Sequence, residues 1–119
     1  MNNKAMTFIH SVADADTLFQ NSDQNLTIIY KHSPICDLSA MAIDEVYVFI
    51  ESLPDTMSIH QVDVISDRTA SQRIEALSGI RHESPQILFI QNGKCVYHAS
   101  HRKIRNAELV QNFKTWATV

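Results

Sequence analysis

Cysteine and glycine are both scarce in this chain of 119 residues, which holds two of each and three prolines. Two cysteines are too few for a disulfide framework, so an apolar core must hold the fold. The shortage of glycine and proline excludes collagen-like and low-complexity classes. Charge of neither sign dominates: ten Lys and Arg against thirteen Asp and Glu leave a net charge of −3. A general nucleic-acid binder would carry a basic face, and the same balance gives no support for binding anionic membranes. No apolar run approaches the roughly 18 residues that span a bilayer. The opening "MNNKAMTFIH" has one lysine and no long apolar region, unlike a secretory leader. Repeats and linker-like tracts are absent too. What is present is an apolar content of 45%, enough for one sizeable core. The expectation is a single cytoplasmic domain over residues 1–119, with no nucleic-acid or membrane partner.

Ser11 is placed to cap a helix whose third position is Asp14, and Val12, Ala15, Leu18 and Phe19 follow on one face. "LTIIY" (26–30) is short, β-branched and almost wholly apolar, as a strand buried on both faces must be. From Asp37 to about Ser52, Leu38, Met41, Ala42, Val46, Phe49 and Ile50 recur at three and four, and Pro54 follows the end. "MSIHQVDVI" (57–65) alternates like a strand. Asp67 is a candidate cap for a helix carrying Ala70, Ile74 and Leu77, with Gly79 at its left-handed end. "QILFIQ" (86–91) and "KCVYHA" (94–99) flank Asn92-Gly93, the pair best suited to a turn with two positive φ angles. Leu109, Val110, Phe113, Trp116 and Ala117 mark a closing helix. With a first strand at about Thr7 to Ile9, the order is β-α-β-α-β-α-β-β-α. That order predicts an α/β protein: a three-layer α/β/α sandwich with a mixed sheet.

Cys36 occupies the joint in "YKHSPICDLSA" (30–40), after a strand and at the start of a helix. In such sheets chemistry gathers outside the carboxyl ends of strands. A helix N-terminus offers unpaired N–H groups and about half a positive charge, which favour a thiolate. Lys31 and His32 are expected to add positive potential, and Asp37 to oppose it. The expected balance favours the thiolate. Ser39 lies one turn on, where a second cysteine would complete a C-x-x-C pair. A hydroxyl cannot close a disulfide, so "CDLS" predicts a one-thiol exchanger whose mixed disulfide must be resolved from outside. Cys95, just past the hairpin turn, is expected at the far end of the sheet, about 15 Å away.

The second signature is "ESPQ", which sets Ser84-Pro85 directly before a strand, where X-Pro bonds are the usual cis sites. Strand–"KHSPIC"–helix with its C-x-x-S end, followed by "GIRHESPQILFIQNGKCVYHASH", resembles the bacilliredoxin-like YtxJ family over roughly residues 26–105. These are single-thiol, thioredoxin-fold proteins of the bacillithiol system. The resemblance implies a thioredoxin-like fold with a cis Ser84-Pro85 opposite Cys36, where Ser84 offers its backbone to a substrate. It implies Cys36 as nucleophile and removal of bacillithiol from bacillithiolated cytosolic proteins. It also implies a low-molecular-weight thiol as co-substrate and no tightly bound cofactor. Family members commonly have proline after the cysteine, where this chain has Asp37. By analogy with glutathione-using relatives of the fold, Ser100 and His101 are expected near bound bacillithiol, and His82 and Glu83 beside the cleft.

Six histidines do not make a zinc site here, since no C-x-x-C or H-x-x-x-H pair exists. Two other functions fit the same residues. A monothiol carrier would share an iron–sulfur cluster between two protomers and be coloured after anaerobic purification. A non-catalytic adaptor of the same fold would bury Cys36 and leave it unreactive.

Overall fold

A computed structural model describes residues 6–117, with elements in the expected order. Four helices, α1 (Val12–Asn21), α2 (Asp37–Glu51), α3 (Arg68–Ser78) and α4 (Asn106–Ala117), accompany five strands. The strands are β1 (Met6–Ile9), β2 (Thr27–His32), β3 (Ile59–Asp63), β4 (Gln86–Gln91) and β5 (Lys94–Ser100). Their order in the sheet is β1-β3-β2-β4-β5. The first three run parallel, β4 is antiparallel to β2, and β5 is antiparallel to β4. The sheet is therefore mixed, as a parallel run closed by a hairpin requires.

Alternation along β2 divides the core in two. Ile28 and Tyr30 face Ala42, Val46 and Phe49 of α2 and Leu109 of α4. Ile29 faces Ala15 and Phe19 of α1 and Ala70 and Ile74 of α3. Both sides of β2 and β4 are thereby covered, which explains why both strands read as continuous apolar runs.

Local chemistry explains most element ends. Ser11 Oγ accepts from the backbone N of Asp14 at 3.0 Å, while the Asp14 carboxylate accepts from the His10 N–H at 2.9 Å. That His10 donor is the main cause holding Asp14 below the usual carboxylate range. Gly79 ends α3 at φ 73°, and Asn92 and Gly93 turn the hairpin at φ 55° and 75°. Ser22 anchors that turn to the end of α1. Its carbonyl accepts from Asn92 N at 3.0 Å, and its hydroxyl oxygen accepts from Gly93 N at 2.8 Å.

Three expectations are corrected. Asp67 precedes α3 but makes no side-chain cap bond; its carboxylate instead accepts from His10 Nδ1 at 3.0 Å, joining α3 to the end of β1. Met41 and Val12 belong to apolar helical patterns yet lie exposed, because each sits at the margin of its stripe. Ser71 fills a buried place on α3 that the apolar pattern did not mark.

Replacing Gly79 by alanine tests the left-handed end of α3. Nothing lies within 4 Å of the added methyl position, so the cost is conformational. Gly79→Ala is expected to lower unfolding stability by about 1 kcal/mol. In urea the midpoint should fall with an unchanged slope.

Candidate active site

Cys36 is the residue at which β-geometry gives way to helix: its φ and ψ are −105° and 126°, and its carbonyl accepts from Ala40 N at 3.1 Å. Its side chain makes no capping bond, so the sulfur is not committed to the backbone. The thiol is half-buried, not sealed in the core as an inert adaptor would need. Ile35, the residue before it, is 83% exposed.

Ser39 is fully buried, and its Oγ accepts from Ser33 N at 3.1 Å. It therefore folds the Ser33–Cys36 loop back onto the first turn of α2. The loop closes further through the Cys36 N–H, which donates to Ser33 O at 3.4 Å. Asp37 is the exposed first residue of the helix.

Lys31 does not take the place expected for it. Strand alternation turns its side chain to the α1/α3 side, away from α2. There it is 0% exposed, and Nζ donates to His82 Nδ1 at 3.0 Å. Burial pushes the ammonium down to about 8, with Glu75 partly opposing the shift. His82 is likewise pushed down by burial and by Lys31, consistent with a neutral ring accepting at Nδ1. Its backbone N donates to Glu75 Oε2 at 2.7 Å, so the segment before Pro85 is held to α3. His32 keeps to the α2 side, but burial lowers its pKa against the opposing pull of Asp63. Lys31 Nζ is thus engaged on the α1/α3 side, and the positive potential placed directly at Cys36 is that of the helix N-terminus.

Tyr30 is a neighbour that strand periodicity did not distinguish from the rest of an apolar run. It is completely buried, and its hydroxyl hydrogen-bonds with His32 Nδ1 at 3.1 Å. Burial and then the negative potential of Cys36 push its phenol well above the ordinary range. A phenol close enough to feel the sulfur's charge stays protonated and acts only as a dipole. The sole sequence signal was a phenol hydroxyl at the end of an almost wholly apolar run (26–30).

The Ser84–Pro85 peptide is cis. It stands at the start of β4, where Gln86 pairs with Lys31 of β2, so it lies at the carboxyl end of the strand that leads to Cys36. Pro85 O accepts from His101 N at 2.9 Å. His101 itself adopts φ 56°, turning the chain from β5 into the short 3-10 segment His101–Lys103. These contacts bring Ser84, Pro85, Ser100 and His101 together. Beside them opens a cleft of about 610 Å³ lined by Leu38, Glu83 and residues 98–103. Arg102 and Lys103 set its cationic character, and Leu38 places it against the first turn of α2.

Cys95 pairs with Ile90, which pairs with Thr27 at the start of β2. Cys36 follows the other end of β2, about 17 Å away at the rise of a strand. Cys95 also packs with the core on the α1/α3 side, and burial raises its pKa. Among the described residues no group of three or more His, Cys, Asp or Glu side chains is arranged to hold a metal ion. In the same residues no helix is long and apolar enough to cross a membrane.

Residues 7–109 match the family model of the monothiol bacilliredoxin BrxC. Among solved structures, one described as an oxidoreductase with a thioredoxin fold is 26% identical; the match covers 89% of this chain and 91% of that one, with a TM-score of 0.77. Fasciola hepatica thioredoxin is 18% identical, covering 92% of this chain and 98% of its own, with a TM-score of 0.71. Trypanosoma brucei brucei thioredoxin is 13% identical over 94% and 90%, with a TM-score of 0.75. The last two speak for the fold alone. A lone thiol on a helix N-terminus, a serine in place of its partner, and a match over nearly the whole chain agree: this protein belongs to the monothiol bacilliredoxin family of thioredoxin-fold thiol–disulfide oxidoreductases.

Proposed function

We propose that this protein removes bacillithiol from mixed disulfides on other proteins, with Cys36 as nucleophile. The observation that carries this reading is the half-exposed Cys36 beside a cationic cleft, with a buried hydroxyl where a resolving thiol would stand. In the first step the Cys36 thiolate attacks the bacillithiol sulfur of a protein–S–S–bacillithiol bond. That bond breaks, the client sulfur leaves with the electron pair and takes up a proton, and a Cys36–bacillithiol disulfide forms. In the second step a low-molecular-weight thiol, as its thiolate, attacks the bound bacillithiol sulfur. Cys36 is released as thiolate, and a small disulfide departs.

Bacillithiol ends in a malyl group with two carboxylates. Arg102, Lys103 and His101 line the cleft where such a group would lie. Ser84 and Pro85, at the head of β4, would flank an extended client segment, and exposed Ile35 offers it apolar contact. The expected setting is the cytosol, where small thiols keep cysteines reduced. The half-exposed thiol favours exchange over the adaptor reading.

The test compares an anionic disulfide with a neutral one. Wild type and Arg102→Ala/Lys103→Ala would be reacted with oxidised bacillithiol and with hydroxyethyl disulfide under stopped flow. Loss of two exposed cations should slow the bacillithiol reaction about 5-fold and leave the neutral reaction unchanged. Equal slowing of both would sink the assignment of the malyl group to this cleft. Failure of wild type to form an adduct would sink the bacillithiol reading.

A further inference from the structure

Within its cationic lining, the cleft beside α2 contains one carboxylate, Glu83. Ser100, in the same lining, is held by a buried amide. Gln86 is 1% exposed, and its Nε2 donates to Arg81 O at 3.1 Å and to Ser100 Oγ at 3.2 Å. The carbonyl of Arg81 can only accept, so the amino end of the Gln86 amide must face it. The same amino group then occupies a lone pair of Ser100, leaving that hydroxyl free to give its proton elsewhere. The Ser100 hydroxyl is the first cause holding Glu83 below the usual carboxylate range, with His101, Arg81 and His98 adding smaller pulls. Glu83 thus sets an anion in the lining of a cleft that otherwise attracts anions. Such a cleft suits a ligand with charges of both signs.

We propose that Glu83 is a specificity-determining residue that accepts the ammonium group next to the sulfur of the small thiol, while the cations of the same cleft take its carboxylates. This rests on the thiol-exchange reading above and adds the ligand class: a zwitterionic thiol bearing an amine on the carbon next to its CH₂–S group. Bacillithiol, whose cysteinyl head carries a free amine, is of that class. A thiol whose amine is acylated or missing is outside it. Gln86 and Ser100 act through Glu83 as positioning residues.

The experiment uses a client protein carrying one mixed disulfide, either with bacillithiol or with its des-amino analogue. Release of each small thiol by the full chain is followed for wild type, Glu83→Gln and Glu83→Lys. The amine also alters the thiol's own reactivity, but equally for every variant, so the ratio of the two rates isolates Glu83. That ratio is expected to be about 5-fold higher in wild type than in Glu83→Gln. Glu83→Lys should lower that ratio further. The same ratio in all three proteins would overturn the role of Glu83 and leave the thiol-exchange reading standing. Reaction of wild type with neither client would overturn both.

Discussion

Oxidised bacillithiol is expected to convert the wild-type protein to a single lasting adduct on Cys36, and Cys36→Ser is expected to form none. Cys36 is the only one of the two thiols with both access and a helix N-terminus. Cys95 lies at the opposite end of the sheet, packed on the other face. A disulfide requires α-carbons within roughly 7 Å, far less than the length of β2 that separates them. Cys95→Ser should therefore leave the yield and rate of the adduct unchanged. Ser39→Cys should do the reverse and collapse the adduct to an internal disulfide with release of bacillithiol. That variant carries a cost, because Ser39 Oγ is buried and accepts from Ser33 N. A thiol is a poor replacement acceptor, and a stability loss of about 1 kcal/mol is expected alongside the new chemistry. Intact-protein mass spectrometry over time distinguishes the outcomes. Wild type passing directly to a species two hydrogens lighter, and only while Cys95 is present, would show that Cys95 resolves.

The second large effect concerns stability. Lys31 is a buried ammonium whose pKa is pushed down to about 8 from an unfolded value near 10.5. Above pH 10.5 the lysine is neutral in both states and carries no penalty. As pH falls from 10.5 toward 8, the unfolded chain binds a proton that the folded protein refuses, so stability falls. Below pH 8 both states are protonated, and the full penalty remains at pH 7. Lys31→Met keeps the length and apolar stem and removes the charge. At pH 7 it should raise stability by about 2 kcal/mol, less than the full shift implies because the Nζ–His82 bond is lost too. His82 keeps the Ser71 hydroxyl within 3.4 Å of Nδ1. A melting temperature higher by roughly 5–10 °C at pH 7 is expected. The gap between variant and wild type should shrink as pH rises through 8 to 10.5. A less stable Lys31→Met protein at pH 7 would mean that the hydrogen bond outweighs desolvation.

The segments in which local chemistry dominates were legible from sequence. The continuous apolar runs at β2 and β4 announced strands covered on both faces. Ser11, Gly79 and Asn92-Gly93 announced a cap, a left-handed helix end and a hairpin turn, because each answers to φ, ψ or a single nearby donor. Cys36 was legible because the joint between strand and helix is itself a local feature. So was Ser39 as a missing thiol, since its place one turn on is fixed by helix geometry.

Direction and depth were decided only by the tertiary structure. Lys31 and His32 are adjacent in sequence, yet strand alternation sends one to His82 and the other to Tyr30. Which face leads to the thiol depends on where α2 lands. Asp67 carried the composition of a cap and became a partner of His10, because β1 and α3 meet across residues far apart in sequence. Glu83 and Ser100 were expected near the cleft, but no local rule joined them. They became one site when β5 paired with β4 and the His101 N–H closed on Pro85. Sequence specifies what each residue can bond to within a turn or two. Pairing across the sheet, and burial that pushes a lysine down to about 8, arise only when distant segments exclude water together.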